Sequence, residues 1–221
     1  LENDTWKKLD FPVEGKIFSF SPVSADDIWF TITQVTSTSL LYHYHEGKIE
    51  NIRAPFSNFI SKIHFVSENS ALFAGWADMA IFENGSFSTL PPIPERQGVR
   101  KLYSPQVSEF WALTGNSTLF RYDRNGYKRI LEKEAVTDFA FTDMQDGYIL
   151  SVDELYRVDH SGVKLILKNA ELKHIRKIGF MHNRTLLMAG EDGLVMIYAD
   201  SHLTIYDSQT KENLNDVLIT A

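Results

Sequence analysis

Apolar positions in this chain come in short runs that alternate with polar ones and stop at polar breaks. Five segments share one profile: "KIFSFSPVS", "SKIHFVSEN", "VRKLYSPQV", "VTDFAFTDM" and "IRKIGFMHN". Each is followed by a more continuously hydrophobic run: "DDIWFTI", "SALFAGW", "SEFWALT", "DGYILSV" and "RTLLMAG". An aromatic-aliphatic run comes next, then a polar turn ending in glycine and one further short run, as in "SLLYHYHEGKIENI", "MAIFENGSFSTL", "STLFRYDRNGYKRIL" and "ELYRVDHSGVKLIL". A two-residue period predicts strands, and no stretch keeps the 3.6-residue period of a helix. The turn glycines Gly47, Gly85, Gly126 and Gly162 are 38, 41 and 36 residues apart. Glycine there supplies the positive φ of a tight hairpin.

Four strands per unit, repeated five times at this period, are the profile of a β-propeller. A four-stranded blade cannot bury its own faces, so blades stack and the ring must close. The expected fold is therefore all-β, a five-bladed β-propeller, treated as a single domain over residues 1–221. The blades fall at about 16–53, 60–91, 98–132, 135–168 and 173–208. "TWKKLDFP" has the character of an outer fourth strand, so a strand at about residues 5–12 is expected to close the last blade. "GLVMIYADSHLTIYD" reads as a third strand with a fourth after it, leaving 209–221 as a tail. One strand is then left over. Either the tail is an appendage, or the ring is six-bladed or an incomplete larger propeller. Pro91, Pro92 and Pro94 fall between blades, where a missing backbone donor does little harm.

Composition agrees with strands: 43% of residues are hydrophobic and 13% aromatic. A formal charge of -7 with scattered Lys and Arg excludes a nucleic-acid surface. The densest basic cluster, His174 to Lys177, sits in an alternating segment and reads as a solvated strand edge. Cysteine is absent, which removes disulfides, thiolate catalysis and thiolate-bound metals. No run reaches the ~18 apolar residues that span a bilayer, so membrane insertion is not expected. Asn3, Asn84, Asn116 and Asn183 each open an N-x-Ser/Thr sequon, read here as turn chemistry.

At "SPVSADDIWFTI" and "SLLYHYHEGKIENI" the chain resembles a bacterial propeller repeat in which an Asp-Asp-(Ile/Val)-Trp strand precedes a His-Tyr-x-Gly hairpin. The matching residues are Asp26, Asp27, Ile28, Trp29, His43, Tyr44 and Gly47. "FVSENSALFAGWADMAIFENGSF" is similar to the repeat of photosystem II assembly-factor-like and sialidase-type propellers, through Phe65, Gly75 and Gly85. No complete Asp-box (Ser-x-Asp-x-Gly-x-x-Trp) is present, which speaks against an active sialidase. The resemblance implies an exported bacterial protein whose propeller binds something. It implies no reaction.

Three constellations carry candidate chemistry. His43 and His45, two apart on one strand face beside Glu46, are a spacing that chelates zinc or copper if further ligands come from another blade, such as His64 or His202. The competing assignment makes them ordinary hairpin residues, and on that assignment no metal and no cofactor are expected. Asp26, Asp27, Asp138, Asp143, Asp153 and Asp192 lie near strand ends and form the carboxylate pool for a glycan-active hydrolase. Asp is also favoured at such turns for bonding its own backbone. Among Trp6, Trp29, Trp76 and Trp111, the second and fourth sit at equivalent places and read as core between blades. Trp76 falls outside that pattern and reads as a ligand contact.

The expected function is a non-catalytic recognition or scaffold module, extracytoplasmic, engaging a protein or glycan partner through Trp76, Asp26, Asp27, Asp143 and Asp192. The chain acts as a monomer or as part of a longer multidomain protein. The rival is a hydrolase with carboxylates at the central mouth. A lectin with one site per blade fits less well, because the turns "HEG", "ENG", "DRNG" and "DHSG" differ.

Overall fold

A computed structural model describes residues 14–33, 39–56, 59–132, 135–181 and 185–217. They form five four-stranded antiparallel sheets, each a simple meander in chain order, which is the architecture of an all-β five-bladed propeller. The expected strand over residues 5–12 lies outside the described residues. The chain divides into two compact units, residues 1–100 and 101–221, and each is taken by itself.

The first unit holds two blades. One is β1 (Lys16–Ser24), β2 (Asp27–Thr33), β3 (Ser39–His45) and β4 (Lys48–Ile52); the other is β5 (Ile60–Ser67), β6 (Ser70–Gly75), β7 (Met79–Glu83) and β8 (Ser86–Leu90). The second unit holds three. They are β9 (Val99–Gln106), whose first residues belong to the first unit, with β10 (Glu109–Thr114), β11 (Leu119–Asp123) and β12 (Gly126–Ile130); then β13 (Val136–Asp143), β14 (Asp146–Ser151), β15 (Glu154–Asp159) and β16 (Gly162–Lys168); then β17 (Ile175–Phe180), β18 (Leu186–Gly190), β19 (Leu194–Ala199) and β20 (His202–Asp207).

The hydrophobic gradient in the sequence is the burial gradient across each blade. Second strands such as β6, β10 and β14 are buried from their second residue onward, which is why they read as unbroken apolar runs. The outermost strands β4, β8 and β16 are mostly exposed and alternate. First strands carry a register shift near their start, at Ile17/Ser19, Ile60/Lys62, Val136/Asp138 and Ile175/Lys177. A bulge there increases the local twist.

The third turn of each blade is built in two ways. Glu46–Gly47, Asn84–Gly85 and Asp200–Ser201 place both loop residues at positive φ, the two-residue hairpin turn whose twist matches its strands. In the third and fourth blades the turn is held instead by an Asp side chain: Asn125 N donates to Asp123 Oδ1 at 2.7 Å and Ser161 N to Asp159 Oδ1 at 2.7 Å, with positive φ at the glycine that follows. The last blade makes its turn with no glycine, so the glycine period alone does not reveal it.

Blade junctions repeat one aromatic pair. Trp29 on β2 lies 5.6 Å from Phe65 on β5, Trp111 on β10 stacks 4.4 Å from Phe141 on β13, and Tyr148 on β14 lies 5.5 Å from Phe180 on β17. Trp29 also meets Phe73 and Phe82, and Tyr148 meets Tyr198. Trp29 and Trp111 are 5% and 1% exposed, as core between blades requires.

One charged group is part of this core. Asp138 on β13 is 1% exposed. Its Oδ1 accepts from Lys101 Nζ on β9 at 2.8 Å, and its Oδ2 accepts from the backbone N–H of Ile178 on β17 at 3.0 Å. Lys101 also donates to Phe139 O at 2.7 Å. Burial pulls the Lys101 ammonium below the usual lysine range, and the Asp138 carboxylate opposes that shift. One carboxylate thus ties the first strands of three successive blades. The described part of the tail folds back onto the last blade, with Leu214 N donating to Gly190 O at 2.8 Å and Asn215 Oδ1 accepting from Arg176 at 2.8 Å.

Two substitutions test these ties. Asp138→Ala leaves the part-buried Lys101 ammonium without its carboxylate and the Ile178 N–H without its acceptor, and should lower unfolding free energy by about 3 kcal/mol. Adding Lys101→Met should then cost less than it does alone, a coupling read from denaturant unfolding of the four proteins in the cycle. Phe141→Ala removes the partner of Trp111 and should cost about 3–5 kcal/mol in the same assay.

Candidate functional sites

The junction aromatics set up a position at the blade rim. In the fourth blade, Asp146 opens β14, Tyr148 follows two residues on, and Arg157 lies opposite Tyr148 on β15. The Arg157 guanidinium sits 4.8 Å over the Tyr148 ring, pairs with Asp146, and donates to Gly147 O at 2.7 Å. The third blade repeats this with Glu109, Trp111 and Arg121: Arg121 lies 5.8 Å over the indole and 3.6 Å from Glu109 Oε2. An acid, an aromatic and a stacked cation thus form one structural unit twice over. Two other blades fill the facing pair with Leu72 and Ile81, and with Leu187 and Ile197.

The first blade keeps the acid and the aromatic and changes the cation. Asp27 opens β2, Trp29 follows, and His43 faces Trp29. The His43 ring stacks on the indole at 4.3 Å, and its Nε2 shares a 2.9 Å hydrogen bond with Asp27 Oδ1. A second imidazole joins them. His45 lies directly opposite Asp27, with Nδ1 3.5 Å from Asp27 Oδ2, and is 55% exposed. One ligand atom from each of Asp27, His43 and His45 lies within 4.8 Å of the others. The spacing of the two histidines suggested further partners on another blade; the acid gathered with them is Asp27, on the paired strand of the same blade.

Trp76 is 52% exposed just after β6. Its backbone is fixed on both sides. Gly75 N donates to Asp78 O at 2.7 Å, and Trp76 O accepts from Gly98 N at 2.6 Å. The indole lies against Gly98, where a Cβ would come 3.4 Å from Trp76 Cε3. The returning segment is pinned by Ile93, 1% exposed, whose N–H donates to Ala77 O at 3.0 Å. The residue after Trp76, Ala77, lines a cleft of about 280 Å³ together with Pro55, Asp78, Met79, Leu90 and Arg96 among others. It offers apolar wall with one acid and one base.

In the second unit Asp192 lines a cavity of about 300 Å³ with Glu171, His174, Glu191, Tyr206 and Asp207. Asp192 sits at φ 50 in a 3-10 turn after β18, its N–H donating to Asn213 Oδ1 at 3.2 Å. Glu191 is bracketed by His174 Nδ1 at 3.0 Å and Arg176 at 3.3 Å, and these two donors hold its carboxyl below the usual glutamate range. The basic cluster at His174 to Lys177 therefore has a partner at the strand end.

The remaining sequence candidates are placed as follows. Asp143 sits in the β13–β14 turn, where its Oδ1 accepts from Gln145 N at 2.6 Å, and exposed Asp26 caps the β1–β2 turn, its carbonyl accepting from Glu46 N at 3.1 Å. Asp153 pairs with Lys168 at 3.7 Å. Asp138 is the third residue of β13 and Asp143 its last, about 17 Å apart for five extended residues. Of the carboxylate pool, Asp27 is gathered with two imidazoles, Asp192 with three other acids, and Asp138 with Lys101.

No protein-family model matches the chain, and none of the curated proteins does. Solved structures match its fold. YCF48 bound to a D1 peptide superposes with a TM-score of 0.64 at 12% identity, covering 90% of this chain and 71% of that one. PorZ, a surface component of the type-IX secretion system of Porphyromonas gingivalis, gives 0.67 at 13% identity over 91% of this chain. The extracellular domain of the one-component system BT4673 from B. thetaiotaomicron gives 0.60 at 13% over 91%. The chain spans only 28% and 29% of the latter two. Identities this low establish a shared fold.

The Glu191 bracket has a pH signature. Its depressed carboxyl contributes stability above the ordinary glutamate range, and that contribution is lost as pH falls through the folded-state value. In a carboxyl NMR titration Glu191 should protonate below the ordinary glutamate range. His174→Ala and Arg176→Met should each move it back upward.

Proposed function

We propose that the chain is a non-catalytic, exported recognition module that binds a segment of a partner protein beside Trp76. The observation that carries this reading is a half-exposed indole on a backbone fixed by hydrogen bonds at Gly75 N and Trp76 O, one residue before Ala77 in the wall of a cleft of mixed polarity. A rigid aromatic loses little conformational freedom on binding, and tryptophan is enriched among the few residues that dominate interface energies. Three comparisons support it: YCF48, of the same fold, is bound to a peptide, and PorZ and the BT4673 domain are surface or extracellular proteins. Among the described residues no helix is long and apolar enough to cross a membrane.

A hydrolase reading gains little from the acidic cavity around Asp192. Glycoside cleavage needs one carboxyl kept protonated as general acid, and Glu191 is shifted the opposite way by His174 and Arg176.

Selection from a displayed peptide library against the immobilised full chain, beside a glycan array, tests the proposal. Enriched peptides should lose at least about 30-fold in affinity to Trp76→Ala, the equivalent of a 2 kcal/mol hot spot, while that variant keeps the wild-type circular dichroism. Glycan binding with no peptide enrichment, or peptides indifferent to Trp76→Ala, would overturn it.

A further inference from the structure

Asp27, His43 and His45 need an account of their own. At the same place two other blades use an arginine to join acid and aromatic, so a cation stacked on the ring is all the architecture requires. Replacing that arginine with His43 preserves the stack. It does not explain His45, which stands free of the junction core, 55% exposed, aimed at the second oxygen of the same carboxylate. The two oxygens of Asp27 are thus each faced by a different imidazole nitrogen, at 2.9 and 3.5 Å.

The 2.9 Å contact is a hydrogen bond, and one ligand atom from each of the three residues lies within 4.8 Å of the others, close to the spacing that donors take around one small ion. Zinc holds nitrogen at about 2.0–2.1 Å and carboxylate oxygen at about 2.0–2.2 Å, which puts tetrahedral ligand atoms about 3.3 Å apart. Residues two apart on β3 present both imidazoles on one face, and the register puts the carboxylate across from them. The exposed His45 ring has room to close the remaining distance. His43 is already held by stacking and by the strand, so little ordering is left to be done.

We infer that Asp27, His43 and His45 form a binding site for a divalent transition-metal ion of the zinc type. Two imidazoles and one carboxylate suit zinc, cobalt, nickel or copper, whereas calcium and magnesium take oxygen ligands. Three protein ligands leave a fourth position open to solvent, and a 2+ ion against one carboxylate keeps a net positive charge there. The site therefore presents an electrophilic point to an anionic or carbonyl group at the rim of the first blade. It is independent of the reading built on Trp76.

The test is zinc titration of the full chain, prepared without a histidine tag, by calorimetry and by competition with a chromophoric chelator. Cobalt serves as a spectroscopic substitute. One equivalent should bind, with a cobalt spectrum of low coordination number. His45→Ala, at an exposed position, should remain folded and lose on the order of tenfold or more in affinity, and Asp27→Asn should do the same. His202→Ala, exposed on β20, should bind as wild type. Absence of stoichiometric binding, wild-type affinity in His45→Ala, or equal loss in His202→Ala would each overturn the site.

Discussion

At three junctions a blade presents an aromatic that its successor receives. Trp29 meets Phe65, Trp111 meets Phe141 and Tyr148 meets Phe180, each pair joining the second strand of one blade to the first strand of its successor. A buried aromatic withdraws about 150–250 Å² from water, roughly 4–6 kcal/mol at 25 cal/mol/Å². A four-stranded sheet has no other way to cover its apolar faces, so these pairs carry the association of blades. They also fix what lies beside them. Residues at the opening of the second strand and along the third stand at the rim of the buried ring, half exposed, with an aromatic face beneath. Asp27 with His43, Glu109 with Arg121, and Asp146 with Arg157 all occupy that shelf.

The Asp138 tie shows a different use of charge. A carboxylate at 1% exposure is expensive to dehydrate, and it persists because Lys101 and the Ile178 N–H supply partners in fixed positions. Its place just after the register shift of β13 is held in other blades by Ser19, Lys62 and Lys177. The geometry is therefore common to the blades, while the carboxylate marks one junction. It also withdraws the most deeply buried acid from any proton chemistry, since a group committed to an ammonium and an amide cannot serve as a glycosidic acid.

Strands were legible in the sequence because burial in a propeller blade is graded from strand to strand, and the gradient is written as run length. The segment "KIFSFSPVS" is β1 residue for residue, and the opening acids of "EFWALT" and "DGYILS" mark the rim. Turns were legible only where glycine made them. Asp200 and Ser201 adopt positive φ without it, since short polar side chains tolerate that region. The imidazole pair was visible from its spacing, but its acid was not. Strand register across β2 and β3 depends on pairing that no local signal records, and a slip of one residue would turn Asp27 to the other face. The repeated acid, aromatic and cation of "EFW" with Arg121 and "DGY" with Arg157 held the missing clue, because it shows which acid faces which third-strand residue. Contacts such as Lys101 with Asp138, 37 residues apart, have no local trace at all.

Because each junction involves only neighbouring blades, its chemistry can change one blade at a time. The shelf position shows this directly. Two blades fill it with a salt-bridged arginine, two with aliphatic pairs, and one with histidine. Arginine covers the ring beneath it, whereas the two aliphatic blades replace that ring with Leu72 or Leu187. An imidazole covers the ring as well through its flat face, while leaving a ring nitrogen at the edge to act as a ligand. The same substitution therefore satisfies the packing and frees a donor atom, so a functional group can arise on the rim without disturbing the pair that holds the blades together. An asymmetric site on a repetitive scaffold follows from that separation: the aromatic below sets the position, and the residue above sets the chemistry.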